Sequence, residues 1–542
     1  MILSTEAYEK LDIRFVLDKV QVHTPYGRVK KQAMKPFGRD QAEDLNRVFD
    51  LTEEAMDMIG RHRYTLVEVR NQFKHMKDLT GSLERIAAGD PLTVPELFEI
   101  KSLVKAMGAV AGALDRAGWN LAEDHRVERM EAVEGLLDPD GLGVNTFYLY
   151  DSYSPDLGRV RGQLKAVERQ MRAVLKTLRV QVEDRLGIRL RPNGEVTVSK
   201  DNGPLLEKLA ADPQLTYSSE TYMNKTYRIA DTPEIDLLRK EKEDLQGEED
   251  AVCAQVRAWL TAELLQHLSD LRVNIDAVGN LDLLLAKAYF ALGTKSVRPR
   301  IVTEGVVSIV EGRHLKVEDR LRREDKPYTP ISLRVESGVT CITGANMGGK
   351  TVSLKMLGML TVVMQMGLFV PAASADLGLL DFVFVSIGDL QDADMGLSTF
   401  GAEIVKVQEA VKMADGRGLI LIDELARGTN PKEGYAISKA LMNYLKEKPS
   451  LTVITTHFDG LADDEDIRHL QVSGLSGLDF KSILLELQDQ EKGMDLLHER
   501  MDYTLKEIHS NEEVPKDAIN ISRLMGLSES ILQNAKDILS DM

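Results

Sequence analysis

The chain has 542 residues, 43% of them apolar and 28% charged, with a formal net charge of −18 and two cysteines. At roughly 150 residues per domain, that length holds three or four domains, each able to bury a core. Two distant cysteines, Cys253 and Cys341, exclude a disulfide framework and fit a reducing, cytoplasmic setting, while the acidic balance argues against a generally basic nucleic-acid binder.

The first residues, "MILSTEAYEKLDIRF", carry acids and no apolar run, so they do not read as a secretory signal. Residues 1–155 read as a helical core, with an early loop-bounded helix in "PYGRVKKQAMKPFG" (25–38). From Leu157 the apolar positions are Leu157, Val160, Leu164, Val167, Met171, Val174 and Leu178. Alternating steps of three and four are the seam of a coiled coil. A helix over 155–186 would run roughly 48 Å at 1.5 Å per residue. A second long helix is expected after Pro233, with Leu238, Leu245, Val252 and Trp259 at steps of seven. Residues 157–191 hold ten Lys/Arg against three Asp/Glu, and residues 234–250 hold eight Asp/Glu against three Lys/Arg. An antiparallel hairpin over 156–290 would set these stripes side by side, so the basic stripe is expected to pair within the hairpin. Residues 188–232, rich in Gly, Pro and Asn with short alternating runs, form its irregular or β-containing tip.

Near residue 300 the pattern changes to short β-branched runs alternating with helices, an α/β pattern. "VTCIT" (339–343) has strand character, and Gly344–Thr351 fits G-x-x-x-x-G-K-T before an uncharged helical stretch. Glycines in such a loop let backbone N–H groups curl around phosphates, and the helix N-terminus adds its positive dipole end. Gly344, Asn346, Gly348, Gly349, Lys350 and Thr351 are therefore candidate ATP contacts. Lys350 would reach the β and γ phosphates, and the Thr351 hydroxyl would ligate Mg²⁺. The uncharged run Met356–Ala375 has membrane-helix length, but it contains Gln365, Gly367 and Pro371. It reads as a buried helix plus turn. "GLILIDELARGT" (418–429) ends an apolar strand in Asp423 and Glu424, where α/β proteins bind ligands. Asp423 would hold the Mg²⁺ shell, and Glu424 would orient and deprotonate the attacking water. "SLTVITTH" ends the next strand at His457, a candidate γ-phosphate sensor.

"TGANMGGKT", "LSTFGAEI" (397–404), "DELARGTNPKEG" (423–434) and "TTHFDGL" (455–461) together resemble the four ATPase motifs of the MutS family. "MDYTLKEI" and "VPKDAINISRLMGLSESILQNAKDIL" are similar to that family's C-terminal dimerisation helices, and the hairpin resembles its lever arms, with 188–232 in the place of the DNA clamp. The resemblance implies a multidomain chain: a helical core (1–155), a lever hairpin (156–290), an ABC-like P-loop ATPase domain (291–490) and a dimerisation segment (491–542). It implies a homodimer in which Ser398 acts on the neighbouring copy's γ-phosphate. "GGKTVSLK" and "IGDLQDADMGLSTF" look closer to the second bacterial subfamily, linked to recombination, than to the mismatch-repair branch. No phenylalanine here is followed two positions later by Glu, as in the family's mismatch wedge, and neither a reader nor a nuclease domain is expected in the chain. The tip is neutral, with six Lys/Arg and six Asp/Glu, a poor basis for gripping duplex phosphates. Ala426 stands where the family commonly has Gly. The primary expectation is an ATP-gated clamp acting on DNA structures. The alternative resembles a family offshoot, the ATPase that reactivates the adenosylcobalamin-dependent lysine 5,6-aminomutase, which implies a protein client and a companion subunit.

Overall fold

In the computed structural model, residues 2–344, 349–388, 399–426, 429–458, 460–474, 502–508, 519, 522–523 and 527–540 are described. The chain divides into two compact units. One comprises residues 1–71, 116–120 and 278–542, and the other residues 72–115 and 121–277.

The first unit is built on a seven-stranded sheet, in the order Ile2–Leu3, Phe382–Ser386, Gly418–Asp423, Leu451–Thr455, Gly338–Thr343, Arg468–Gly474, Asp502–Glu507. Every neighbouring pair is parallel except the last, so "MDYTLKEI", expected among dimerisation helices, instead supplies the antiparallel edge strand Asp502–Glu507. Gly418–Asp423, Leu451–Thr455 and Gly338–Thr343 are almost wholly buried. That explains why they read as unbroken apolar runs rather than alternating ones. Their register pairs Asp423 with Thr455 and Thr455 with Ile342, which brings the polar residues at three strand ends to one edge. A four-stranded sheet follows the order Arg300–Val302, Ser374–Gly378, Val306–Gly312, Ile331–Glu336.

The uncharged run becomes the helix Lys350–Gln365, buried along nearly its whole length. Gln365 satisfies its buried amide by donating to the carbonyls of Phe37 and Leu380 and accepting from the Leu380 N–H. Gly367 then turns the chain at φ +76°, a left-handed conformation that glycine takes without strain. Among the described residues no helix is long and apolar enough to cross a membrane.

The segment 25–38 contains the helix Pro25–Gln32. Its start is tied from far along the chain: Asp282 accepts the Thr24 N–H at 2.7 Å, the Thr24 hydroxyl at 2.8 Å and the His23 N–H at 2.9 Å. Thr24 in turn caps Gly27 at 2.8 Å. A side chain at Gly27 would place Cβ 2.3 Å from the Asp282 carboxylate, so only glycine fits.

In the second unit, the helices Pro155–Leu186 and Pro233–Gln266 pack along each other. Arg159 pairs with Glu248, Arg161 with Glu249 and Glu168 with Lys242, so the helices run antiparallel. Leu157, Val160, Leu164 and Val167 are buried, and Met171, Val174 and Leu178 half-buried. The steps of seven on the second helix hold through Leu238, Leu245 and Val252 but fail at Trp259. Trp259 is 46% exposed, and the buried line passes instead through Val256, Leu260 and Leu264. A straight helix of 3.6 residues per turn drifts ~20° per heptad, which carries a strict repeat off the contact face after three steps. Pairing of the basic stripe is also only partial: Lys165, Arg169, Arg172 and Lys176 are exposed and make no ion pair among the described residues. The tip is an antiparallel sheet, Glu195–Ser199, Asn224–Ile229 and Leu215–Glu220, with the helix Gly203–Ala211. Its core includes Val182, Val196, Leu209 and Tyr227, and Arg185 grips the buried Asp212 with two bonds of 2.9 Å.

His314, just before the helix Leu315–Arg323, is wholly buried, and neither ring nitrogen has a hydrogen-bond partner. Burial lowers its pKa to about 4, outweighing the pull of Asp12 at 3.7 Å. The unfolded chain, with an ordinary histidine near 6.5, takes up the proton first, so stability is lost as pH falls from about 6.5 to about 4. The loss is up to about 3 kcal/mol. We expect denaturant midpoints of the parent to fall more between pH 7 and pH 4.5 than those of His314→Phe. Equal falls would refute this role for the buried ring.

Candidate functional site

The loop after Gly338–Thr343 leads into the helix that starts at Lys350. Gly344 has φ +127°, and a side chain there would place Cβ 3.0 Å from Val472. Gly349, the helix N-cap, has φ +85°. Asn346 and Gly348 lie outside the described residues, as does Ser398.

Lys350 and Glu424 face each other in the interior. The ammonium is 3.4 Å from Glu424 Oε1, the side chains are 5% and 8% exposed, and Lys350 also donates to the Gly344 carbonyl at 2.8 Å. Beside them, Thr351 donates to Asp423 Oδ2 at 2.8 Å. Thr455 donates to the other carboxylate oxygen at 2.6 Å. The same Thr455 hydroxyl accepts the Glu424 N–H at 3.0 Å. One threonine thus orients both acids, a role visible only once the neighbouring strands are in register.

The chain leaves the strand Gly418–Asp423 with non-glycine residues in left-handed conformations, Glu424 at φ +50° and Ala426 at φ +64°. Each costs roughly 1–2 kcal/mol and persists only where its surroundings hold it. Here the Ala426 N–H donates to Glu403 Oε1 at 2.7 Å, and Gly434 packs against the Ala426 carbonyl. Neither Thr455 nor Glu403 was singled out from the sequence, because each acts on residues distant in the chain. His457 follows the end of the strand Leu451–Thr455. It is exposed and lies over Phe458 at 4.5 Å, without a hydrogen bond to Lys350, Asp423 or Glu424.

The loop itself is braced by Thr343, whose hydroxyl is 2.7 Å from His469 Nε2. Burial lowers the His469 pKa, which keeps the ring neutral and able to accept. Next to Gly349 opens a mainly apolar cavity of about 180 Å³, lined by Leu321, Pro327, Tyr328, Val352 and Tyr503.

Hard oxygen donors, one hydroxyl and one carboxylate at a helix N-terminus, suit Mg²⁺, which keeps most of its shell for water and phosphate oxygens. No cluster of three or more His, Cys, Asp or Glu is found among the described residues, so a metal caged by protein alone has no basis there.

Residues 340–542 match MutS domain V. Endonuclease MutS2 of Carboxydothermus hydrogenoformans is 29% identical over 509 residues, covering 92% of this chain and 56% of that protein. DNA mismatch repair protein MutS of Aquifex pyrophilus is 26% identical over 557 residues, covering 99% and 60%. The chain is similar to proteins of the MutS family over most of its length. Endonuclease MutS2 of Lactococcus lactis subsp. lactis is 25% identical over 535 residues, covering 95% of this chain and 64% of the relative. The chain therefore spans 56–64% of the length of these three relatives.

Thr455→Val keeps the shape of the side chain but removes both hydroxyl bonds. It should lower unfolding stability by about 1–3 kcal/mol with helical content unchanged. A denaturant midpoint equal to the parent's would show that Asp423 does not depend on this bond.

Proposed function

We propose that this chain is a Mg²⁺-dependent ATPase of MutS type, working as a homodimeric, nucleotide-gated clamp on DNA. The observation that carries the ATPase reading is the buried Lys350–Glu424 pair at a strand end facing a helix N-terminus. In this reading, the β and γ phosphates of ATP replace Glu424 and the Gly344 carbonyl as partners of Lys350. That exchange frees Glu424 to orient the attacking water and take its proton. Mg²⁺, held through Thr351 and Asp423, would offset charge on the phosphates. Thr455 would keep both acids in place, and the cavity beside Gly349 would take the base of the nucleotide between Tyr328 and Val352. His457, exposed before nucleotide arrives, would turn toward the γ-phosphate, and Ser398 would complete the site of the second copy.

Glu424→Gln preserves size while removing both base and competing charge. ATP should bind at least as tightly as to the parent, while hydrolysis falls 10²–10⁴-fold. Filter binding together with phosphate release measures both. Turnover at the parent rate would refute Glu424 as the base.

For the clamp, support comes from the relatives' names and from the line of Lys165, Arg169, Arg172 and Lys176. At 100° per residue these four fall within a ~60° arc, a straight cationic stripe about 16 Å long. A second reading, a protein client, is favoured by the tip, where Tyr222 is 92% and Met223 56% exposed at the turn between two strands. Four phosphate contacts predict a log K against log[salt] slope near about −3.6 and only weak duplex binding at physiological salt. Salt titrations with homoduplex, mismatched and four-way-junction DNA, with ATP present, decide between the two. A shallow or absent salt dependence in the parent, or a slope unchanged by Arg169→Glu with Arg172→Glu, would remove the DNA reading of the stripe and favour the protein client.

A further inference from the structure

The helices Thr5–Lys10, Ile13–Lys19 and Pro25–Gln32 and the far end of Lys350–Gln365 surround a basin of about 820 Å³. Its wall carries Arg14, Arg28 and Lys31, and its floor is apolar, with Leu17, Val20 and Met366 each buried. None of the three cations makes a hydrogen bond or close ion pair among the described residues. Several other cations of this unit are matched, as Arg39 is with Asp381, Arg298 with Asp50 and Glu53, and Arg300 with Asp376. On a chain of net charge −18, with carboxylates in excess, three cations gathered around one concavity form a local positive patch. Among the described residues lining the basin the one acid is Asp18, which leaves a surplus of two positive charges. Lys31 is partly desolvated there, and burial lowers its pKa despite the nearby Asp18. An anion entering the basin would remove that penalty.

We propose that this basin is a binding site for a phosphorylated small molecule carrying an apolar or ring portion. The phosphate would meet Arg14, Arg28 and Lys31, and the apolar portion would rest on Leu17, Val20 and Met366. The site is separate from the phosphate loop: the helix Lys350–Gln365 has 16 residues, so its two ends stand about 24 Å apart. The same buried helix joins the two places, and occupation of one end can be felt at the other.

1-Naphthyl phosphate joins a ring to a phosphate and serves as the probe, with the full chain kept in saturating Mg²⁺ and ADP so that the loop is occupied. Calorimetric titration should show one saturable site per chain. Affinity should fall at least about tenfold in the double variant Arg14→Glu, Lys31→Glu. The double variant Arg14→Lys, Lys31→Arg keeps both charges and should bind within a few-fold of the parent, which separates charge loss from misfolding. 1-Naphthol, lacking the anion, should not bind. Absence of saturable binding to the parent, equal affinity in the charge-reversed variant of unchanged circular dichroism, or equal binding of 1-naphthol would overturn the proposal.

Discussion

The carboxylate of Asp423 joins three parts of the fold that no local sequence connects. It accepts from Thr351 in the first turn of one helix and from Thr455 on the neighbouring strand, and it belongs to a third element itself. That double acceptance requires the parallel register in which Asp423 stands opposite Thr455. A slip of one residue would turn Asp423 to the other face of the sheet. Glu424 would then lose the bond from its N–H to Thr455, and Lys350 its buried partner. The interior around this edge is apolar on both faces of the sheet, so the register is specified by the core and the site follows from it.

What could be read from the residues was local. Strands ending in Thr343 and Asp423, and the helix beginning at Lys350, announce themselves because a buried parallel strand is an apolar run with an abrupt polar end, whereas the strand read to His457 stops two residues earlier, at Thr455. Contacts between distant segments left no such mark. Thr455 reads as one more β-branched residue of its strand, and Glu403 as one more acid on a helix. Ile2–Leu3 is too short to show any period. The long hairpin helices were legible as periodic runs, but the repeat of seven misplaced Trp259, because an α-helix does not keep that repeat without supercoiling. Ala426 is a different case. Its substitution for a common glycine could be noted in the sequence, but its meaning lies in φ +64°, where the methyl group is strained.

The pairing of Lys350 with Glu424 also gives the site a built-in competition. A buried ammonium and carboxylate satisfy one another, and a polyanion that claims the lysine leaves the acid without its partner. On the reading proposed above, nucleotide binding and proton acceptance would be coupled through one side chain.

The two-residue strand Ile2–Leu3 pairs with Phe382–Val383, so the edge of the main sheet is finished by residues far apart in the chain. Between them lies a complete second unit drawn from residues 72–115 and 121–277. During synthesis the inserted unit has emerged in full long before the first strand can meet its neighbour. Residues 1–71 must wait, with Leu11, Ile13 and Phe49 uncovered, for the strands that will bury them. Such a wait exposes apolar surface on the growing chain. The core around Leu11, Ile13 and Phe49 can therefore close only after the chain has been made through residues 382–383.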